Sequence, residues 1–371
     1  MDIVLEVSDR FMFDYMYAWL HPLKLHDFPD LAAANVSARQ FSTWQYKPAT
    51  AFFLIEPSEA AYKSEWARDN IYRQSLSLFL ILWQVLILER SSTSCIVESL
   101  PLTQMCSPTV RLFGLAVYFI FASLSYIFLF DKRTMQHPKF LKNQVWLEIK
   151  QANQALPVMA LFTFPALVAE VRGYSKLYDT SADGPGRWYD FFQFPLFLIF
   201  TDFFIYLIHR GLHHPLVYKR LHKPHHKWIM PTPYASHAFH PIDGFAQSVP
   251  YHVFPFIFPL QKVAYVCLFV FINFWTIMIH DGEYYANNPV INGAACHSVH
   301  HFAFNYNYGQ YTTLWDRLGG SYRRPDSELF EKDTKQSKKQ WEKQVQVMEE
   351  TLKDVEGEDD REYAPESKKS Q

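Results

Sequence analysis

Five apolar segments, separated by polar stretches, run along the chain. They cover residues 75–88, 112–130, 155–168, 191–208 and 253–279. The second segment is the clearest, because its 19 residues carry no charge and leave no polar face for water. A bilayer core about 30 Å thick needs ~20 helical residues, so the shorter segments predict helical hairpins. Together they predict an all-α polytopic membrane protein with about four transmembrane helices.

Prolines and polar residues interrupt two of these segments. The prolines within residues 155–168 predict a bend in a short helix. Gln261 and Lys262 divide the last segment, which predicts a re-entrant part followed by a span over residues 263–279. A soluble protein with unusually apolar helices is the alternative, and the uncharged second segment disfavours it.

The two ends of the chain differ from its apolar middle. We predict an N-terminal region over residues 1–70, a membrane-embedded domain over residues 71–325 and a charged C-terminal tail over residues 326–371. Within the tail, residues 327–355 have helical character, and disorder is expected after Glu356.

Charge and cysteine content narrow the function classes. The 35 Lys and Arg residues nearly balance the 37 Asp and Glu residues, so no global positive field indicates nucleic acid binding. The four cysteines form no CxxC pair, which fits a reducing environment and disfavours a cysteine zinc site. No G-x-G-x-x-G loop indicates a bound nucleotide.

Histidines are concentrated in one part of the chain, where 13 of the 16 lie from His209 to His301. They form three groups, which are His209, His213 and His214, then His222, His225 and His226, then His297, His300 and His301. Residues three or four apart share a helix face, so the groups predict converging imidazoles next to the membrane. Pro224 inside the second group predicts that His222 lies at a helix start.

This number of histidines indicates a pair of metal ions. Imidazole binds iron, copper, zinc and nickel, whereas a soluble di-iron bundle would use Glu and Glu-x-x-His, which the chain lacks. We therefore hypothesise a cationic metal pair that activates dioxygen and attacks an unactivated C–H bond. A hydrolytic zinc site needs only three protein ligands and a nearby Glu, so the histidine count disfavours it. Histidines at the membrane interface, or in a pH sensor, would not need this repeated spacing.

Several segments carry a family resemblance. The three histidine groups, with residues 217–226, resemble the fatty acid hydroxylase superfamily. Within that superfamily, residues 231–244, 279–282 and 305–320 resemble the sterol C5-desaturases, and residues 136–145 are similar to their fungal members. The histidine groups alone would specify only the superfamily.

The resemblance implies a reaction and its co-reactants. A C5=C6 double bond would be introduced into a Δ7-sterol such as episterol, on the route to ergosterol. Two iron ions would be the cofactor and dioxygen the co-substrate, with electrons from NAD(P)H through cytochrome b5 and its reductase. The expected partners are therefore the sterol, the lipid bilayer, cytochrome b5, its reductase and other sterol-pathway enzymes, and no nucleic acid.

The same resemblance implies residue roles. The implied metal ligands are His209, His213, His214, His222, His225, His226, His240, His280, His297, His300 and His301. Helical spacing favours His213 over His214, whereas the spacing in hydroxylase relatives favours His214. His240 is alternatively a hydrogen-bond donor to a ligand. Side chains expected to hold the ligating imidazoles by hydrogen bonds are Asp202, His237, Asp243 and Asp281.

Charge and tail sequence predict the location. Basic residues beside the second histidine group and the Lys-rich tail place a histidine-rich helical cap and the C-terminus in the cytosol. Lys368 and Lys369 resemble a retrieval signal of endoplasmic reticulum membrane proteins. A glycosylation sequon at Asn35 matters only if the N-terminus is luminal.

Two other functions stay open. One is a different oxygenase of the superfamily, such as a sterol C4-methyl oxidase or a fatty-acid hydroxylase, which the stretches between the histidine groups disfavour. The other is a non-catalytic sterol sensor, which would not need three complete histidine groups.

Overall fold

The computed structural model describes residues 2–22, 58–66, 68, 70–87, 113–285, 287–357, 359 and 361–364. The sequon at Asn35, two of the cysteines (Cys95 and Cys106) and the Lys368–Lys369 pair lie outside these residues.

Helices dominate the described chain, as the predicted all-α class requires. The α-helices are α1 (Asp2–Ser8), α2 (Asp14–Leu20), α3 (Ile71–Ile87), α4 (Phe113–Leu124), α5 (Gln144–Val171), α6 (Arg187–Leu212), α7 (Pro215–Leu221), α8 (Lys223–His226), α9 (Pro241–Ile257), α10 (Lys262–His280), α11 (Ala294–Ala303), α12 (Leu314–Leu318), α13 (Lys332–Lys335) and α14 (Lys338–Val355). π-Helices cover Asp9–Phe13 and Ser125–Leu129, and 3-10 helices cover Glu59–Lys63, Lys132–Gln136, Pro233–His237 and Ser327–Phe330. The strands are β1 (Leu177–Tyr178) and β2 (Leu260–Gln261), which pair in parallel with Leu177 opposite Leu260.

Three helices in the described part of the chain, α5, α6 and α10, are long and apolar enough to cross a membrane. They have 28, 26 and 19 residues, and they contain the predicted segments 155–168, 191–208 and 263–279. Helix α5 runs without a break through its prolines, so it is much longer than its apolar run. The shorter apolar helix Val117–Phe128 falls in the segment that seemed clearest from sequence. The number of spans stays a prediction.

The predicted division of the last apolar segment is confirmed. Helix α9 ends at Ile257, β2 follows, and α10 begins at Lys262. The polar pair thus lies where the chain changes from strand to helix. The re-entrant path of the first half stays a prediction.

One compact unit comprises Met1–Phe113, Ala160–Phe191 and Pro255–Tyr265. Its core contains Leu5, Phe13, Tyr17 and Leu78. Buried ion pairs accompany this core, because Asp14 contacts both Arg68 and Arg73 at 2.6 Å.

The second compact unit comprises Gly114–Met159, Phe192–Phe254 and Val266–Gln371 and contains the clustered histidines. One of its cores joins α11 to the tail helix α14, and it consists of Tyr218, Ile229, Val299, Phe302, Ala303, Phe304, Met348 and Leu352. The helical character predicted for the tail is confirmed.

The expectation of disorder after Glu356 is wrong for residues 361–364. The Arg361 side chain is only 3% exposed, and the N–H of Ala364 donates to the Phe140 carbonyl at 2.8 Å. Composition suggested a solvated end, but these contacts join residues far apart in sequence, which composition does not reveal.

Candidate metal centre

Helix ends carry the histidines of the predicted site. His209 lies in the last turn of α6, and the N–H of His213 donates to the His209 carbonyl at 3.3 Å, so the turn continues past the helix end. His222 immediately precedes α8, with Pro224 at the start of that helix, as predicted. His280 is the last residue of α10, and the third group lies on α11.

Nine imidazoles form two clusters. The first cluster contains His209, His213, His222, His226 and His300, and the second contains His225, His280, His297 and His301. In each cluster, one ring nitrogen per residue lies within 4.8 Å of all the others. Neighbouring residues on a helix point about 100° apart, so His225 and His226 enter different clusters.

The closest contacts within the clusters join Nε2 atoms. In the first cluster these Nε2–Nε2 distances are 3.1 Å for His209–His222, 3.2 Å for His213–His226 and 3.0 Å for His226–His300. In the second they are 3.3 Å for His225–His280, 3.0 Å for His280–His297 and 3.2 Å for His297–His301. Each of the nine rings therefore directs its Nε2 atom towards the centre of its own cluster.

Hydrogen bonds at the other ring nitrogen determine where the proton lies. The Nδ1 atoms of five rings contact oxygens, namely His209 to Tyr308 O (2.9 Å), His222 to Asp243 Oδ2 (2.8 Å), His225 to Ala238 O (3.4 Å), His280 to Thr276 O (2.6 Å) and His300 to Tyr306 O (2.7 Å). A carbonyl or ionised carboxylate only accepts, so Nδ1 of each of these rings carries a proton, and Nε2 of each ring that is neutral keeps a lone pair.

Opposed lone pairs make these clusters a fit for metal ions. In the His225–His280 contact, both Nδ1 atoms donate to carbonyls, so in the neutral rings neither Nε2 carries a proton that it could donate to the other. The two facing lone pairs repel each other, and a cation that both nitrogens bind relieves this repulsion. Two nitrogens at about 2.1 Å from one ion, at roughly a right angle, lie about 3 Å apart, as these do. The donor set thus suits a metal in each cluster.

Burial keeps these imidazoles in the neutral, metal-binding form. His225 is buried, and His226 and His300 are completely buried. Burial, reinforced by neighbouring imidazoles, lowers the pKa of His225 to about 3 and holds the pKa values of His226 and His300 well below their usual range. Protons therefore compete poorly with a metal for these nitrogens.

Two predicted carboxylates support the site differently. Asp243 is completely buried and accepts directly from His222. Burial alone would raise the pKa of Asp243, but His222 and its hydrogen bond lower it. Asp202 instead accepts the backbone N–H groups of residues 310–312 at 3.0, 2.7 and 3.2 Å. It thereby holds the loop whose Tyr308 carbonyl orients an imidazole.

The other two predicted supporting residues bond elsewhere within the described chain. Asp281 accepts from the N–H of Glu283 at 2.8 Å. His237 lies between Ser236 Oγ at 3.0 Å and Asn273 Oδ1 at 3.2 Å. Neither forms a hydrogen bond to a cluster imidazole in that part of the chain.

Two predicted ligands lie outside both clusters. His214 is exposed, and its Nδ1 accepts the N–H of Leu216 at 3.4 Å at the start of α7. Nδ1 of His240 likewise accepts the N–H of Ile242 at 3.3 Å at the start of α9. Both side chains cap helices, so the structure does not bring them to the metal site. Of the ambiguous pair, only His213 joins a cluster.

Most of the groups that orient the rings were missed from sequence. They are backbone carbonyls, which no side-chain pattern marks. Two aromatic rings also pack on the imidazoles: Phe304 stacks on His226 at 4.7 Å between ring centroids, and Tyr308 lies 4.9 Å from His213.

Comparison with known proteins identifies the family. The fatty acid hydroxylase family model matches residues 194–321, which include all nine cluster histidines. A probable Delta(7)-sterol 5(6)-desaturase of Neurospora crassa is 73% identical over 373 residues, covering 100% of both chains. The chain belongs to the Delta(7)-sterol 5(6)-desaturase family. No solved structure matches it significantly.

Further members of the Delta(7)-sterol 5(6)-desaturase family align over nearly the same length. ERG3A of Gibberella zeae is 58% identical, over 100% of both chains. ERG3 of Candida albicans is 46% identical, over 98% of this chain and 99% of its own. The predicted resemblance to the desaturases is confirmed, and it reaches into both chain ends, beyond the segments that first indicated it.

Proposed function

We propose that this protein is a membrane sterol C5-desaturase, which introduces the C5=C6 double bond into a Δ7-sterol during ergosterol biosynthesis. Family membership over the full length supports the substrate class and the reaction. The observation that carries the chemistry is the pair of buried imidazole clusters, in which protonated Nδ1 atoms leave Nε2 lone pairs facing one another.

We propose two iron ions as the cofactor. The first cluster would hold one ion and the second cluster the other. Imidazole binds iron as well as copper, zinc and nickel, and oxidation of an unactivated carbon needs a redox-active metal, which zinc is not. When bound, the irons supply the activation of dioxygen, the co-substrate.

The protein's own contribution is to hold and shield these ligands. Asp243 and the carbonyl of Tyr308 fix the tautomers of His222 and His209, so that each presents an unprotonated Nε2. Complete burial of His222 keeps water from competing at the site. The apolar surfaces of α6 and α10 suit delivery of a sterol from the bilayer.

Electrons would come from NAD(P)H through cytochrome b5 and its reductase as separate proteins, because the sequence has no dinucleotide-binding loop. The proposed location is the endoplasmic reticulum membrane, with the clusters on the cytosolic side. Lys219, Arg220, Lys223 and Lys227 support that orientation, since they surround the second histidine group.

A sterol profile of a C5-desaturase-deficient yeast tests this function. The strain would express either the wild-type chain or the His222→Ala variant, and its sterols would be measured by gas chromatography and mass spectrometry. We expect 5,7-diene sterols to return with the wild type and to be absent with the variant, because His222 joins the first cluster and Asp243. Persistent Δ7-sterols despite good expression of the wild type would overturn the C5 assignment. Profiles of 4-methyl sterols and hydroxylated acyl chains would then identify the product.

A further inference from the structure

The C-terminal segment after α14 returns to the second histidine group. The guanidinium of Arg361 donates to the His226 carbonyl at 3.2 Å and to the Lys227 carbonyl at 3.4 Å. Its side chain is 3% exposed. A buried arginine thus binds the main chain at one of the clustered histidines, about 135 residues earlier in the sequence.

Glu356 fixes that arginine. Its two carboxylate oxygens accept from Arg361 Nη1 at 3.0 Å and Nη2 at 3.1 Å, in a two-pronged arrangement. Glu356 also accepts from Tyr218 Oη at 2.9 Å and pairs with Lys223 at 3.2 Å. The Tyr218 ring in turn lies 5.4 Å from the His213 ring. The buried Glu356 carboxylate therefore joins Arg361 to Tyr218, which precedes the second histidine group, and to Lys223, which lies within it.

His226 is the ligand for which this anchorage matters most. Its Nε2 contacts both His213 and His300, so it is central to the first cluster. Its Nδ1 is buried and has no hydrogen-bond partner among the described residues, unlike Nδ1 of His209 or His222. No hydrogen bond at Nδ1 orients the His226 ring among the described residues. The position of the ring therefore depends on its stacking with Phe304 and on the contacts that hold the His226 backbone.

We propose that Arg361, held by Glu356, is a positioning residue for His226 and hence for metal binding in the first cluster. This inference rests on the metal centre of the proposed function. The Arg361 contacts to the backbone thus take the place of the hydrogen bond that five other clustered imidazoles donate from Nδ1. The C-terminal segment is accordingly part of the metal centre and not a separate tail.

Titration of metal-free full-length protein with Co2+ in detergent, followed by visible absorption, tests this role. We expect the wild type to bind two ions and Arg361→Ala to bind one of them about tenfold or more weakly, the usual effect of losing a group that orients a ligand. Arg361→Lys keeps the positive charge but lacks the planar guanidinium that bonds to both carbonyls and to the carboxylate. We therefore expect it to lose Co2+ affinity, but less than Arg361→Ala does. The melting temperature of each metal-free variant shows whether it is folded.

Lys139→Ala is the matched control. Lys139 is 10% exposed and anchors the same tail through Glu349 at 3.2 Å and Asp359 at 3.6 Å. Its described contacts include no cluster histidine. We expect this variant to bind Co2+ like the wild type.

Equal Co2+ affinity in folded Arg361→Ala or Arg361→Lys and in the wild type would overturn the inference, as would an equal loss in Lys139→Ala. Because the titration uses no sterol, its result is independent of the yeast experiment. A wild type that binds two Co2+ but makes no 5,7-diene contradicts only the proposed reaction.

Discussion

At the scale of single residues, one hydrogen bond per imidazole separates a metal site from an ordinary buried histidine network. Neutral imidazole has one donor and one acceptor nitrogen, so paired histidines can satisfy each other. In the His225–His280 pair they cannot, because the carbonyls of Ala238 and Thr276 already accept both protons. An oxygen that accepts the Nδ1 proton thus leaves Nε2 of the same neutral ring free to bind a metal ion.

Two buried carboxylates beside proposed ligands allow this argument to be tested. Asp243→Asn removes the charge that fixes the His222 tautomer, and we expect metal affinity about 10- to 100-fold lower. Asp281→Asn is the matched control, because Asp281 follows His280 directly but bonds to Glu283. Burial raises the pKa of Asp281 to about 8, so an amide closely resembles its prevailing form near neutral pH. Metal content of the purified variants measures the difference, and similar losses in both would refute the tautomer argument.

At the scale of elements, the break between α6 and α7 decides which of two adjacent histidines joins a cluster. One more helical hydrogen bond follows Leu212, from the N–H of His213 to the carbonyl of His209. It keeps His213 on the same helix face as His209. Pro215 then begins a new helix, and His214 serves as its cap. The structure therefore places His213, four residues after His209, in the first cluster, while His214 caps α7, and which of the two binds metal stays a prediction.

Substitution of the two adjacent histidines should give opposite results. His213→Ala removes a nitrogen that lies 3.2 Å from His226 Nε2, and we expect loss of 5,7-diene formation in the deficient yeast. His214→Ala removes an exposed helix cap, and we expect a stability loss of about 0.5–1 kcal/mol and nearly full product formation. Product formation by His213→Ala, or its loss in stably expressed His214→Ala, would contradict the assignment.

The elements also show how far sequence could predict this site. Helical spacing and family resemblance together predicted all nine cluster histidines, and the apolar runs predicted α6 and α10. Two further predicted ligands, His214 and His240, lie outside the clusters and cap helices, which sequence could not show because helix capping depends on backbone geometry. It missed the carbonyl of Thr276 and the return of Arg361, since a carbonyl has no sequence signature and an ion pair between distant segments leaves no local pattern.

At the scale of the whole molecule, the two helices that end in His209 and His280 suggest how the chain crosses the membrane. Helix α6 follows β1, α10 follows β2, and these strands pair with each other, so the beginnings of the two helices meet. Their other ends carry clustered histidines. At about 1.5 Å per residue, the 26 residues of α6 exceed the roughly 30 Å hydrocarbon core.

Cysteine labelling in microsomes tests that topology. In a chain whose native cysteines are replaced by serine, Ala182→Cys would mark the turn before α6, and Lys338→Cys would mark the start of α14. Both positions are exposed. We expect a membrane-impermeant maleimide to label Lys338→Cys in intact, cytosol-side-out vesicles and Ala182→Cys only after permeabilisation, because the basic residues near the histidines favour the cytosol. Labelling of both positions in intact vesicles would mean that α6 does not cross the bilayer. The reverse pattern would place the metal centre in the lumen, away from cytosolic electron donors.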